Sequence, residues 1–198
     1  MCVVASAEGE LLDAEVIRHE PVAGSLPRVL GRMLAAVDTA VVVVTGPGTY
    51  TGVRAGMAAA LGIADARNLP LYGVGALEVV ASGDPEAAAR DWVVSDAGRG
   101  ALYVARVRDA AHATRVGAGA FDVGGLRLVS GDGGAGANVL GAGVSESDAG
   151  GARVLSSDVI DLAVVVMIDP ALALARSVPL ALSRPALDRA GLTAVYVD

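Results

Sequence analysis

Hydrophobic and polar positions follow two different periods along the first 110 residues. The apolar runs 1–6 and 11–18 flank the turn sequence AEGE and predict a pair of strands. The run 40–44 contains four consecutive valines, and such an uninterrupted run is typical of a strand covered on both faces. Further strands are predicted at 71–74, 92–96 and 101–107, the last two as a hairpin.

Helical periods lie between these strands. An apolar stripe predicts a helix over 26–37, with Ser25 as its N-cap and Pro27 in its first turn. A second helix is predicted over 51–67, closed by Asn68 in the left-handed conformation, and a third over 76–81. The stripe consists of Leu26, Val29, Leu30, Met33, Leu34 and Val37. Alternating strands and helices indicate an α/β fold.

The composition changes after residue 110. Residues 117–151 contain twelve glycines and predict either short strands with many turns or a partly mobile surface. The run 156–167 predicts a helix with a serine cap, although its valines also suit a strand. We therefore expect a first lobe at 1–105 and a smaller, divergent second lobe at 106–198.

Charge and cysteine content narrow the class of protein. The net charge is −7, all 15 basic residues are arginine, and these arginines form no basic stripe. Direct binding of nucleic acid is therefore not expected. The lone Cys2 cannot form an internal disulfide and suits a reducing compartment. With neither a leader pattern nor a membrane-length apolar run, the expectation is a cytoplasmic protein without membrane contact.

The sequence TGPGTYTGVRAG, at 45–56, has the outline of a phosphate-binding loop. A P-loop needs a lysine that reaches the phosphates, and the chain contains no lysine. The dinucleotide fingerprint needs a third glycine where Thr51 stands. No nucleotide or other cofactor is therefore predicted at this loop.

The helix after the loop has a face of small residues. Gly52, Gly56, Ala59, Ala60 and Ile63 share that face by helical spacing. Glycine inside a helix costs roughly 1 kcal/mol against alanine, so close packing must compensate. The face packs either on the protein's own sheet or against a helix of a partner chain. The residues alone favour the first alternative.

Side chains for catalysis are sparse. His19 and His112 lie far apart in the sequence, and Cys2 has no second thiol. Thr49 and Thr51 suit turn and cap roles, and Asp96 is a single carboxylate without an adjacent base. We predict no catalytic set and no metal site.

The loop carries a family resemblance. The matching residues are Gly46, Pro47, Gly48, Thr49, Tyr50, Thr51, Gly52, Val53 and Arg54. They closely resemble the motif G-P-G-[ST]-[FY]-T-G-[LV]-R of the TsaB (YeaZ) family, which takes part in making threonylcarbamoyl adenosine in tRNA. Residues 96–105 are similar to the family's D-A-R-R-G-E-V-Y segment, with Gly98 in place of an arginine. The resemblance is specific over 40–105 and faint after about 110.

The resemblance implies a fold and a role. The fold is that of acetate and sugar kinases, Hsp70 and actin, with ribonuclease H-like lobes and mixed sheets flanked by helices. The implied role is a non-catalytic scaffold that pairs with the larger paralogue TsaD, which the ATPase TsaE joins, and that forms homodimers in isolation. The pairing helices correspond to 26–37 and 51–66, so the resemblance favours an intermolecular face. The expected interface residues are Leu30, Met33, Leu34, Gly52, Val53, Gly56, Ala59, Ala60 and Ile63.

The chain departs from the family at its beginning. The family opens with a central strand of the type I-L-A-I-D-T-S-T, whereas this sequence begins at the segment that follows it. Three explanations stay open: a start further upstream, closure of the gap by residues 1–6, or a partner that fills the gap. Two other functions also stay open: a homodimeric paralogue without a tRNA role, and a kinase-fold phosphotransferase or peptidase, which the absence of a catalytic set disfavours.

Overall fold

The structure is a computed structural model. It describes residues 1–17, 22–89, 92–98, 101–116, 121–123, 126–128, 139–142, 147–149, 152–154, 165–188, 192 and 194. His19 and most of the predicted helix 156–167 lie outside the described residues.

The first part of the chain alternates strands and helices as the sequence predicts. A β-bulge or irregularity shifts the register of the antiparallel β1–β2 pair between Val4 and Ala5. β3 and β4 pair in parallel, with α2 as the connection between them. The elements are β1 (Cys2–Ala5), β2 (Leu11–Glu15), α1 (Val22–Met33), β3 (Val41–Gly46), α2 (Tyr50–Arg67), β4 (Leu71–Gly75) and α3 (Ala76–Gly83).

The second part contains a mixed five-stranded sheet with the strand order β13-β10-β5-β6-β7. Its strands are β5 (Trp92–Gly98), β6 (Ala101–Arg106), β7 (Thr114–Val116), β10 (Val139–Ala142) and β13 (Val165–Met167). Two short hairpins are formed by β8 (Phe121–Val123) with β9 (Leu126–Leu128) and by β11 (Ser147–Ala149) with β12 (Ala152–Val154). Helices α4 (Pro170–Arg176) and α5 (Val178–Leu182) follow. Short 3-10 turns lie at Leu34–Ala36, Ala87–Ala89 and Val107–Asp109.

Two sequence expectations need revision. The described part of the run 156–167 is a strand at Val165–Met167, the alternative that its valines allowed, and it pairs in parallel with β10. The first helix begins at Val22, so Ser25 is not its N-cap and Pro27 lies inside it. Ser25 is buried, and Pro27 has no N–H with which to donate a helical hydrogen bond.

The first half of the fold has a divided sheet, which consists of two separate pairs of strands. Among the described strands, β1 pairs with β2 and β3 pairs with β4, and no ladder joins the two pairs. Closure of the gap by residues 1–6 is therefore wrong for the described residues. The valine run of β3, typical of a strand covered on both faces, belongs to a sheet of two described strands, so β3 lies at an edge.

The helices pack on this divided sheet through separate apolar clusters. In α1, Val29 and Met33 pack against Val4 of β1. In α2, Met57, Ala60 and Ala64 recur at i, i+3 and i+7 and pack against Val43 and Leu71. The largest cluster joins α3 to the five-stranded sheet and to α4. Its members include Val74, Leu77, Val80, Val93, Tyr103, Ile168 and Ala173.

Candidate functional site

The glycine loop turns the chain from β3 into α2. The peptide bond between Gly46 and Pro47 is cis, and Gly46 has a φ of +113°, a conformation that side chains rarely adopt. Thr49 then caps the helix, since its side-chain oxygen accepts a hydrogen bond from the Gly52 N–H at 3.3 Å. The loop therefore works as a helix entry built from the family motif.

The glycine at position 52 is explained by this cap. A Cβ at Gly52 would lie 2.6 Å from Oγ1 of Thr49, which is shorter than real contacts allow. Glycine leaves the threonine hydroxyl free to reach the backbone. Gly52 thus serves the chain's own helix cap, a role that the predicted interface did not include.

An aromatic residue and an arginine stand together at the start of α2. The guanidinium of Arg54 lies 4.0 Å from the ring centroid of Tyr50, at a distance suited to a cation–π interaction. Tyr50 is 57% exposed, so this pair sits on the surface. Thr51, between the loop and this turn of the helix, is exposed as well.

The structure divides the predicted interface residues into two sets. Met33 and Ala60 are only 5% and 7% exposed, because they pack in the chain's own core, and Val53 packs partly against the same core as Ala60. Met33 and Ala60 thus belong to the core of this chain, and their part in an interface stays a prediction, as does that of the half-buried Val53. Of the other six, Gly52 is exposed and serves the helix cap, and five half-buried residues form what we call the helix-pair surface: Leu30, Leu34, Gly56, Ala59 and Ile63.

The helix-pair surface has room for a second molecule at Gly56. A Cβ built on Gly56 meets nothing within 4 Å, and the same holds for Gly62, which is exposed. Ala58 and Ala66 are exposed too, so much of the outward side of α2 is without long side chains. Small residues of this kind let another helix approach closely.

Arg67 fixes the position of the two helices at one end. Its guanidinium donates hydrogen bonds to the carbonyl oxygens of Leu34 and Val37, at 2.8 and 2.5 Å. These carbonyls lie at the end of the α1 region, where the Leu34 carbonyl also accepts a hydrogen bond from the Val37 N–H at 3.1 Å. Asn68, with a φ of 52°, then closes α2 in the predicted left-handed conformation.

The sequence reasoning missed an ion pair beneath this region. Glu78 of α3, which is 8% exposed, accepts hydrogen bonds from Arg184 at 2.5 and 3.0 Å and from the Gly75 N–H at 2.8 Å. The hydrogen bonds from Arg184 lower the pKa of Glu78, the bond from Gly75 adds to this, and burial opposes it. Glutamate three residues after Gly75 is a helix-start signal, but the partner stands 106 residues away.

Ionisable groups also line a shallow cavity of 370 Å³ next to Glu78. His112, on the surface nearby, contacts Asp109 at 2.5 Å, and this hydrogen bond raises the pKa of the histidine. The cavity walls include Ser82, Val107, Asp109 and Leu180.

Over the described ranges, no group of three side chains could hold a metal ion. Likewise, no described helix combines the length and apolar character needed to cross a membrane.

Comparison with known proteins places these features in a family context. Residues 30–123 match the model of the TsaD family, described as tRNA N6-adenosine threonylcarbamoyltransferase. Uncharacterised proteins of Mycobacterium tuberculosis and Mycobacterium bovis are 40% identical over 88 residues. That match covers 42% of this chain and 40% of each relative, so it spans about two fifths of their length.

Solved structures cover far more of the chain. YeaZ from Pseudomonas aeruginosa matches 96% of it, with 91% of that chain covered, a TM-score of 0.55 and 21% identity. The chain has the fold of YeaZ. A second structure, of a protein described as similar to peptidase YeaZ from the same organism, covers 93% of this chain and 87% of its own, with a TM-score of 0.53 and 20% identity. The resemblance to the TsaB (YeaZ) family, stated from the loop motif, is confirmed.

The YeaZ fold accounts for the α/β arrangement of mixed sheets and flanking helices. The matched range 30–123 includes the loop motif, all of α2 and the β5–β6 hairpin, but only the last four residues of α1. The division of the chain at residue 105 stays a prediction.

Proposed function

We propose that this chain is a non-catalytic scaffold in the threonylcarbamoylation of adenosine in tRNA. It would bind a TsaD-like paralogue through the helix-pair surface, a TsaE-like ATPase would join the complex indirectly, and the isolated chain would form a homodimer. We also propose that the chain has the two-lobed architecture of the kinase and actin type. The same proposal includes a cytoplasmic location, which is consistent with the lone Cys2.

Gly56 carries this proposal. It lies inside an 18-residue helix, where glycine costs roughly 1 kcal/mol against alanine, and its own chain places nothing against it. Neither a positive φ nor a tight contact within the chain explains this glycine. A helix of another chain that lies close to the backbone at Gly56 would compensate for this cost.

The loop chemistry supports a scaffold over a kinase-fold enzyme. The hydroxyl of Thr49 at the helix start accepts the hydrogen bond from the Gly52 N–H. A phosphate-binding lysine does not occur anywhere in the sequence. The loop is therefore suited to holding the entry of α2, which presents the helix-pair surface.

A homodimeric paralogue without a tRNA role is the second candidate. The same exposed small residues that favour a TsaD-like partner would also serve a second copy of the chain. The two candidates differ in what happens when the paralogue is added, since only a scaffold would exchange a homodimer for a mixed complex.

Sedimentation velocity of the chain alone and with its larger paralogue tests the proposal. Gly56→Leu should abolish a one-to-one complex, because the added side chain fills the space that a partner helix needs. Ala88→Leu is the matched control, because it places the same side chain on an exposed turn outside the helix-pair surface. Circular dichroism checks that both variants are folded.

Three outcomes decide between the candidates. A complex that is lost in Gly56→Leu and kept in Ala88→Leu supports the scaffold. A persistent homodimer that ignores the paralogue supports the second candidate. A complex unaffected by Gly56→Leu would place the interface elsewhere on the chain. Magnesium-dependent binding of an ATP analogue by the isolated chain would contradict the non-catalytic role.

A further inference from the structure

The helices that cover the divided sheet are themselves joined to one another. Helix α1 packs on β1 through Val29 and Val4, and α2 packs on β3 through Met57 and Val43. Helices α1 and α2 also contact each other. Helix α3 contacts β3, β4 and α4, and α4 in turn contacts β1 and β2. Helix contacts therefore connect the two strand pairs, whereas no ladder connects them among the described strands.

The contact between α1 and α2 sets the width of the opening between β1 and β3. Two packed helices have axes about 8–10 Å apart, whereas paired strands lie about 4.7–4.9 Å apart. Since α1 packs on β1 and α2 packs on β3, these strands are separated by about two strand spacings. The opening therefore has about the width of one additional strand. We call it the strand slot, with β1 and β3 as its walls.

Backbone groups of β3 point into the strand slot. The Val41 N–H donates a hydrogen bond of 3.0 Å to the Pro70 carbonyl, on the side of β4. Successive residues of a strand direct their N–H and C=O groups to opposite edges, so those of Val42 and Val44 point away from β4. Within the described residues, no ladder or other hydrogen bond uses these groups. An extended segment in the slot would pair with them.

The two faces of β3 show which side chains such a segment would carry. Val41 and Val43 pack in the α2 cluster, whereas Val42 and Val44 pack against the α3 cluster. A segment beside β3 would lie between the same layers, where an unpaired charge is costly to bury. Proline would remove an N–H that has to pair with a wall. Valine, isoleucine and threonine are therefore the residue types that suit the slot.

We propose that the strand slot binds an extended, apolar segment of another protein molecule, which is inserted as a strand between β1 and β3. The walls have four and six residues, so a segment of similar length would pair along both. Strand addition of this kind takes its affinity from main-chain hydrogen bonds and its specificity from alternate side chains. The slot lies beneath α1 and α2, whereas the proposed scaffold function uses their outward side, so the two proposals are independent.

An edge strand of a folded second copy does not fit the slot. The β3 strand of another molecule would bring its own α2 and α3, because these helices cover both of its faces. In a slot of one strand's width, those helices would collide with α1 and α2 before the strands came within hydrogen-bonding distance. A tail or linker without helices packed on it is the kind of segment that reaches both walls.

Fluorescence anisotropy with a labelled synthetic peptide tests the proposal. The probe is KTVIVTK, with blocked ends, whose central residues suit the slot and whose lysines keep it in solution. We expect saturable binding, and at least about tenfold weaker binding of KTVPVTK, because proline removes the central N–H. Gly56→Leu should bind KTVIVTK as wild type does, since Gly56 belongs to the helix-pair surface and not to the slot.

Amide hydrogen exchange measured by NMR locates the bound peptide. In the chain alone, the amides of Val42 and Val44 should exchange at least about tenfold faster than those of Val41 and Val43, which face β4. Addition of KTVIVTK should slow the exchange at Val42 and Val44 and leave the other two nearly unchanged. KTVPVTK at the same concentration should have little effect.

The other results contradict the proposal. Absence of binding, equal binding of the two peptides, or slowed exchange at residues away from β1 and β3 would overturn it. Slow exchange of Val42 and Val44 in the chain alone, at every protein concentration, would show that the chain itself closes the slot. Exchange that slows as the protein concentration rises, together with a dimer in sedimentation, would show that a second copy fills it and would overturn the proposal as well.

Discussion

Two glycines of α2 have opposite surroundings although they belong to one helix. A Cβ at Gly52 would collide with the Thr49 hydroxyl, whereas a Cβ at Gly62 would meet open space. Sequence spacing treated Gly52 as part of a packing face, because a pattern of small residues does not show which of them is needed by a cap. The space around each glycine depends on tertiary geometry, which single-sequence patterns do not contain.

These surroundings predict that alanine substitutions at the two glycines change the free energy of unfolding in opposite directions. Gly52→Ala should lower the free energy of unfolding by about 1 kcal/mol, because the threonine cap is displaced. Gly62→Ala should raise it by about 0.5–1 kcal/mol, because alanine is the better helix former and nothing obstructs it. Urea denaturation of both variants, with wild type as reference, measures the two shifts. Stabilisation by Gly52→Ala would show that the cap does not form in solution.

Helices and strands match their sequence predictions where the signals for them lie in neighbouring residues. The α2 boundaries, Asn68 at its end and the β5–β6 hairpin are all confirmed, because period, cap and turn residues agree there. The start of α1 and the strand at Val165–Met167 differ from expectation. In both places the pairing or burial of distant residues decides between local alternatives, as the buried Ser25 and the β10–β13 ladder show.

The link between Glu78 and Arg184 ties α3 to the segment after α5 and predicts a pH dependence. Because the pKa of Glu78 is lowered from its ordinary 4.5 in the folded chain, the ion pair stabilises the fold fully above that value. The stabilisation is then lost as pH falls from about 4.5 through the lowered pKa. Glu78→Gln should cost about 1–2 kcal/mol at pH 7, a modest loss because the Arg184 side chain is 38% exposed.

Urea denaturation from pH 7 down to pH 3, for wild type and Glu78→Gln, checks this dependence. The difference between the two curves should shrink in the acid range, which separates Glu78 from the other carboxylates that titrate there. A difference that is constant with pH would mean that the carboxylate charge does not contribute to the stability of the fold.

At the scale of the whole molecule, α4 from the later part of the sequence packs against α3 from the middle of it. A Cβ at Gly83 would collide with Cγ2 of Ile168 and lie 2.9 Å from Cβ of Ala173. The contact leaves no room for a methyl group, and neither neighbour is a flexible side-chain end. Helix α4 also contacts β1 and β2, so a disturbance here reaches the start of the chain.

Gly83→Ala should therefore destabilise the fold by about 1–3 kcal/mol, the usual cost of overpacking. Its thermal midpoint is measured beside that of Gly62→Ala, which makes the same chemical change in open space. An unchanged midpoint in Gly83→Ala would mean that α3 and α4 lie further apart in solution than in this structure.

The YeaZ fold itself could be anticipated from the loop motif, whereas the division of the first sheet into two pairs could be suspected only from the order of segments. Met33 and Ala60 lie in the core of this chain, which the sequence did not indicate, and the reason is a general one. A helix that lies between a sheet and a partner has two apolar faces, and a sequence period does not tell which of them points inward.

The contact between Leu187 and β4 has a consequence for how the protein is made. The Leu187 N–H donates a hydrogen bond of 2.7 Å to the Leu71 carbonyl, and its side chain covers Gly73. Until Leu187 has emerged from the ribosome, the Leu71 carbonyl of β4 lacks this donor and is open to neighbouring chains. A chain that ends before Leu187 would leave the Leu71 carbonyl without this donor and Gly73 uncovered, and we expect it to aggregate more readily than this chain.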